Sequence, residues 1–223
     1  QYYKRLMRQI QWPLNKPSDE YLAKSATASA SSSGNWIQQG PWHYDPEVAM
    51  YFEVQSPGAC HVYTVEQAQS NPEVVYCGTA TAGMYRSENK GLNWDLISGD
   101  LPVTGVYSIA ISPSDADVVF LGSSNGDLYK SYNGGMTWDV CGNNAYQSSS
   151  RWYRTIVFYE NGILAATNDG LWLSEDLGDS MQLIQAGEFM ELEQHPTDPS
   201  VLYTVKLQGS ETIFMKSIDG GLS

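Results

Sequence analysis

The 223-residue chain is 42% hydrophobic and 17% charged, which is enough apolar material for a packed core and excludes a disordered chain. A formal net charge of −13 with only 12 Lys and Arg residues argues against a nucleic-acid partner, which needs clustered cations against phosphate. No run approaches the roughly 18 apolar residues of a membrane span, so the chain is not expected to be membrane-spanning. No secretory leader is visible either, so an exported form is expected to have lost one.

In chain order, residues 1–24 come first. Tyr3, Leu6, Met7 and Ile10 fall at helical spacing and Pro13 ends the pattern, which predicts a short amphipathic helix. Across residues 1–34 five basic side chains stand against two acidic ones, a net +3 that contrasts with the acidic remainder. Two readings stay open: a helix packed on its own domain, or a segment that docks on a partner. Residues 25–34, rich in Ser and Ala, read as a flexible tether.

Residues 35–223 repeat a four-stranded unit. In the clearest copy Val106–Pro113 alternates as a half-buried strand and Asp117–Ser124 is β-branched. Asp127–Ser131 is a third strand, a tight turn follows, and Thr137–Cys141 begins a fourth. The turn, "SYNGGMTW" from Ser131, recurs as "SENKGLNW" from Ser87, "SEDLGDSM" from Ser174 and "SIDGGLS" from Ser217, at steps of 44, 43 and 43 residues. Four short strands at a period of about 40 to 45 residues predict an all-β fold, a β-propeller of antiparallel blades. The turn itself reads as a staple. Gly91, Gly135, Gly178 and Gly221 supply positive φ, while Asn89, Asn133, Asp176 and Asp219 hold nearby amides as Asx turns do. Ser87, Ser131, Ser174, Ser217 and Thr137 add hydroxyl bonds, and Trp94 and Trp138 fill the gap between sheets. In the third copy Asp179, Ser180 and Met181 replace the usual ending, so a looser turn is expected there.

The pattern S-x-[DN]-x-G-x-[TN]-W resembles the Asp box, or bacterial neuraminidase repeat, of sialidases, oligoxyloglucan-active hydrolases, the sortilin family and a photosystem assembly factor. Gly34–Trp42 after a Ser-rich tether, followed by residues 72–94, is similar to sortilin-like propellers exported by Bacteroidota through type IX secretion. That resemblance implies an exported protein, at the cell surface or extracellular, with the periplasm as a further possibility. The sequence stops inside its fourth box, from which we expect an N-terminal part of a larger propeller. The alternative is a four-bladed ring closed by Asn35–Gln39 beside the last blade.

In related hydrolases ligands bind at the face opposite the boxes. Here the corresponding loops are residues 79–83, 123–127, 167–170 and the long 142–154. Tyr146, Arg151, Trp152 and Arg154 combine aromatic faces with guanidinium groups suited to a sugar or a protein partner. The plainer reading has Trp152 starting an inner strand. Asp127 and Asp169 occupy comparable loops and suit ordinary turns as well. The acid of the xyloglucan-active T-D-x-G-G string has no counterpart in "TATAGMYR", and the sialidase arginine cluster is missing, since only five arginines exist. His43, His61 and His195 lack ligand spacing, Cys60, Cys77 and Cys141 lack metal spacing, and no cofactor motif appears, so neither metal nor cofactor is expected. The cysteines read either as buried thiols or as a Cys60 to Cys77 bridge beside the thiol of Cys141. These readings favour a non-catalytic binding or scaffold module for a protein or glycan at the cell envelope. A fragment of a carbohydrate-active glycoside hydrolase is the alternative.

Overall fold

The computed structural model describes residues 61–103, 105–142, 151–159 and 162–221. The helix and tether expected over residues 1–34, together with Cys60 and Tyr146, lie outside them.

The chain folds as an all-β propeller, with four antiparallel sheets met in chain order. Blade 1 is β1 (Val62–Gln67), β2 (Val75–Thr79), β3 (Met84–Ser87) and β4 (Asp95–Leu96). Blade 2 is β5 (Val106–Ile111), β6 (Val119–Ser123), β7 (Leu128–Ser131) and β8 (Asp139–Val140). Blade 3 is β9 (Tyr153–Tyr159), β10 (Gly162–Thr167), β11 (Gly170–Ser174) and β12 (Gln182–Ala186). Blade 4 holds three strands among the described residues: β13 (Glu188–His195), β14 (Asp198–Gln208) and β15 (Glu211–Ser217).

Each blade is a meander in which every strand pairs with the next. The second strand is buried on both faces, as in β6 and β10, because a neighbouring blade covers each side. The core is accordingly divided among the interfaces. Tyr76, Met84, Val119 and Leu121 pack between blades 1 and 2. Phe120, Tyr153, Ile156 and Ile163 pack between blades 2 and 3, and Leu164, Leu171, Phe189 and Leu192 between blades 3 and 4. Close approach depends on small residues in the second strands. A Cβ at Gly122 would lie 2.3 Å from Tyr153 Cβ, and one at Gly78 would lie 2.8 Å from Val106 Cγ1.

The box turns lie at one end of every blade. In the second, Ser131 Oγ accepts from the Gly135 amide at 2.8 Å and donates to Asn133 Oδ1 at 2.9 Å. Asn133 Oδ1 in turn accepts from the Thr137 amide at 2.9 Å. Ser87, Asn89 and Gly91 make the same bonds, as do Ser174, Asp176 and Gly178, and Ser217, Asp219 and Gly221. Two consecutive residues take positive φ in each turn, so Lys90 (57°) and Leu177 (53°) adopt a conformation that Gly134 and Gly220 reach without a Cβ penalty.

The third turn, expected to be looser, is closed differently. Asp176 Oδ1 accepts from the Ser180 amide at 2.9 Å and Oδ2 accepts from its hydroxyl at 2.6 Å. These bonds, the hydroxyl first, hold the Asp176 carboxyl down at about 2. Met181 packs between blades 2 and 3 where Trp138 packs between blades 1 and 2. Trp138 also donates its indole N–H to the Ile97 carbonyl at 2.9 Å, joining blade 2 to blade 1.

Cations just before the boxes make further joints. Arg86 pairs with Asp117 at 2.8 Å, and buried Lys130 pairs with Asp179 and donates to the Leu177 carbonyl at 3.2 Å. Cys77 and Cys141 are buried, and burial pushes the Cys141 thiol far up, so it packs as a small hydrophobe.

Candidate functional site on the loop face

The opposite end carries the turns between second and third strands and the starts of the inner strands. A buried hydroxyl staples three of those turns. Thr79 Oγ1 donates to the Gly83 carbonyl at 2.8 Å, Ser123 Oγ to the Asp127 carbonyl at 2.7 Å, and Thr167 Oγ1 to the Gly170 carbonyl at 2.6 Å. All three are at most 1% exposed. They recur every 44 residues, a second period that the sequence reading passed over.

Blade 3 adds a side-chain cluster to this frame. Arg151, only 4% exposed, lies just before β9 and grips Asp169 in a fork, Nε to Oδ1 at 2.9 Å and Nη2 to Oδ2 at 2.8 Å. Its guanidinium sits 4.4 Å from the centre of the Trp172 ring, whose N–H donates to Asp169 Oδ1 at 3.1 Å. The Thr167 hydroxyl, whose single proton is shared with the Gly170 carbonyl, also lies 2.6 Å from the same oxygen. Burial works to raise the Asp169 carboxyl, but Arg151, Thr167 and Trp172 outweigh it and hold the carboxyl below its usual range.

Beside this pair the backbone of Trp152 is fixed to Asn168, whose Oδ1 accepts the Trp152 amide at 2.7 Å. Trp152 is 50% exposed, and the Arg154 guanidinium lies 5.1 Å from the centre of its ring. Arg154 Nη2 reaches Glu188 Oε1 of β13 at 3.5 Å, while its buried Nε has no partner. Thr155 donates to Glu191 at 2.6 Å. The arrangement is an apolar ring held open to solvent, with a cation behind it and acids already engaged.

Of the expected residues, Arg151 and Asp169 therefore meet directly, and Trp152 and Arg154 stack beside them. Asp127 lies in the equivalent turn of blade 2 with its own partners, Asn125 Nδ2 at 3.1 Å and the Tyr129 hydroxyl at 3.2 Å. Trp172, Asn168 and Glu188 were not anticipated. Asp169-Gly170-Leu171-Trp172 would have hinted at Trp172, because residues three apart across a tight turn return to one side.

A different pair of acids sits near the box end of the inner strands. Burial, with the charge of Glu193 on β13 as a smaller contribution, raises the Glu66 carboxyl on β1. The described residues contain no group of three or more His, Cys, Asp and Glu side chains placed to hold a metal. No described helix is long and apolar enough to cross a membrane.

No family model matches the sequence, and no curated protein matches it. Solved structures do. A GH74 xyloglucanase from Xanthomonas campestris superposes with a TM-score of 0.59 at 15% identity, over 73% of this chain and 29% of that one. The GH74 enzyme of Niastella koreensis gives 0.58 at 19% identity, over 70% and 28%. The extracellular domain of a protein described as a one-component system, from B. thetaiotaomicron, gives 0.50 at 16% identity, over 64% and 20%. At these identities the likeness is one of fold, and the chain spans less than a third of each structure's length.

Proposed function

We propose that the chain is a non-catalytic recognition module that binds a protein or glycan through the loop face of blades 3 and 4. The observation that carries the reading is the half-exposed Trp152 indole, backed by Arg154 and anchored to the closed Arg151–Asp169–Trp172 unit. A flat ring fixed by backbone bonds offers stacking area with little ordering cost, on a sugar face or an extended peptide. The acids of this face do not have the poise of a hydrolytic pair: Asp169 is held ionised by its partners, and Glu188 and Glu191 are bonded to Arg154 and Thr155. Tyr146, in the adjoining loop, is proposed to extend the aromatic surface.

The box turns would serve only to hold the blades, as in the Asp-box proteins. An exported location at the envelope fits the exported sortilin-like propellers that the sequence resembles and the extracellular domain of the one-component system that shares the fold, and type IX export with docking by residues 1–24 belongs to the same proposal. Arrays of glycans and peptides probed with the wild type and Trp152→Ala test it. Signals should fall at least tenfold in a variant that stays folded. Equal signals from both would remove the loop face from the account.

The second reading is a fragment of a glycoside hydrolase, like the GH74 enzymes. The fold likeness to two GH74 enzymes is what favours it. Release of reducing ends from xyloglucan by the wild type would establish it in place of the binding module.

A further inference from the structure

Every inner strand carries one extra residue near its loop end. In blade 1 Val62 pairs with Thr79 and Thr64 with Gly78, so Tyr63 between them has no counterpart on β2. Blade 2 repeats this at Tyr107, between Val106 opposite Ser123 and Ser108 opposite Gly122. Blade 3 repeats it at Arg154, between Tyr153 opposite Thr167 and Thr155 opposite Ala166. In blade 4 the extra residue is Met190, between Phe189 opposite Lys206 and Glu191 opposite Val205. In the first three blades the pair just before the bulge includes the buried hydroxyl that staples the adjoining turn. One extra residue of this kind bends the strand and re-aims a side chain, and such bulges are frequent beside functional sites.

Burial separates the two residues that the bulge sets apart. The one before it seats between blades, with Val106, Tyr153 and Phe189 at most 1% exposed. The extra residue stays open to solvent: Tyr63 is 51% exposed, and Tyr107, Arg154 and Met190 are half-buried. The Tyr63 and Tyr107 rings meet at 5.1 Å and 54°, one corner built from two blades. Arg154 lies against the Trp152 ring, so blades 1 to 3 set two tyrosines, a guanidinium and an indole at the loop end of their inner strands.

The polar ends of these side chains are unspent. Tyr76, Tyr129, Trp138 and Trp172, which hold the fold, all donate a hydrogen bond. By contrast, the hydroxyls of Tyr63 and Tyr107 and the indole N–H of Trp152 have no partner among the described residues. Arg154 has one polar bond, the 3.5 Å contact with Glu188, and its other donors are unused. An apolar ring face beside a free donor matches a sugar, whose C–H groups stack on the ring while its hydroxyls accept from the donor. One such position in each successive blade suits a chain of repeating units. A net charge of −13 disfavours an acidic chain.

We propose that Tyr63, Tyr107 and Arg154 continue the Trp152 platform as one track for a neutral oligosaccharide, with Met190 at its blade 4 end. The track rests on the loop-face reading and narrows its ligand to a glycan.

Arrays of neutral oligosaccharides of graded length, beside arrays of extended peptides, test it on the full chain. Tyr63→Ala and Tyr107→Ala should each weaken the longest bound sugars at least tenfold, while the shortest, held at Trp152, change less than twofold. Tyr63→Phe combined with Tyr107→Phe keeps both rings packed and should still weaken long sugars at least threefold, which a purely structural role would not produce. A loss in Trp152→Ala with all tyrosine variants unchanged would overturn the track and leave the loop-face reading standing. Unchanged binding in Trp152→Ala would remove that reading itself. Capture of peptides in place of sugars, or of neither, would overturn the sugar assignment.

Discussion

The two ends of the blades are built by opposite strategies. At the box end four turns repeat one hydrogen-bond circuit almost atom for atom, from Ser87 to Ser217, and each circuit is short in sequence. At the loop end the backbone staple repeats through Thr79, Ser123 and Thr167, but the side chains placed on it diverge: blade 1 has Ala80 and Ala82, blade 2 has an Asn125–Asp127–Tyr129 network, and blade 3 has the Arg151–Asp169–Trp172 unit. Repetition marks where geometry is the requirement. Divergence on a constant frame marks where recognition can be specialised without cost to the fold.

The sharpest way to break the shared frame is to remove the close approach between blades. Gly122→Val puts side-chain atoms where Tyr153 Cβ and Ser108 Oγ already lie, 2.3 and 2.5 Å from an added Cβ. Overpacking of this kind should cost about 3 kcal/mol in urea unfolding, the largest loss expected at any single position discussed here. On the loop end Asp169→Ala leaves the buried Arg151 guanidinium without its carboxylate. Because Asp169 is partly exposed and water can enter, a loss of about 2 kcal/mol is expected rather than the full cost of an orphaned buried charge. On the box end Ser131→Ala removes the acceptor of the Gly135 amide and the donor to Asn133, and should cost about 1 kcal/mol with binding unchanged.

The smallest effect separates the third turn from its siblings. Asp176 is a carboxylate whose folded value, about 2, lies below the ordinary 3.8, so the folded state binds its proton less readily than the unfolded one. The stability this contributes is present above pH 4 and is lost as pH falls toward 2. Asp176→Asn, which copies Asn89 and Asn133, should flatten that part of the acid unfolding curve, whereas Asn133→Ala should leave its shape unaltered.

How much of this was legible follows the same division. The boxes could be read because every partner lies within four residues, so spacing alone specifies the bonds. Strand positions were also readable, although β4 and β8 shrink to two residues, Asn93 and Thr137 being held by the turns and Trp138 by the interface between blades 1 and 2. The loop-face cluster was only half visible. Arg151 and Asp169 are 18 residues apart and meet only because β9 and β10 pair in register, and Glu188 joins from the next blade. The hydroxyl staple escaped because a lone Ser or Thr at a strand end is chemically unremarked until its burial is known. The looser third turn failed as an expectation for a local reason: Ser180 replaces the bonds that Thr137 makes, and Met181 is flexible enough to fill the same interface.

The central claim is that recognition belongs to the loop end and the boxes only hold it in place. The direct measurement is the dissociation constant of one array-selected ligand for the wild type, Trp152→Ala and Ser131→Ala, each verified as folded. The account predicts at least a tenfold weakening in Trp152→Ala and less than a twofold change in Ser131→Ala. The reverse order, or an unchanged constant in Trp152→Ala, would contradict it.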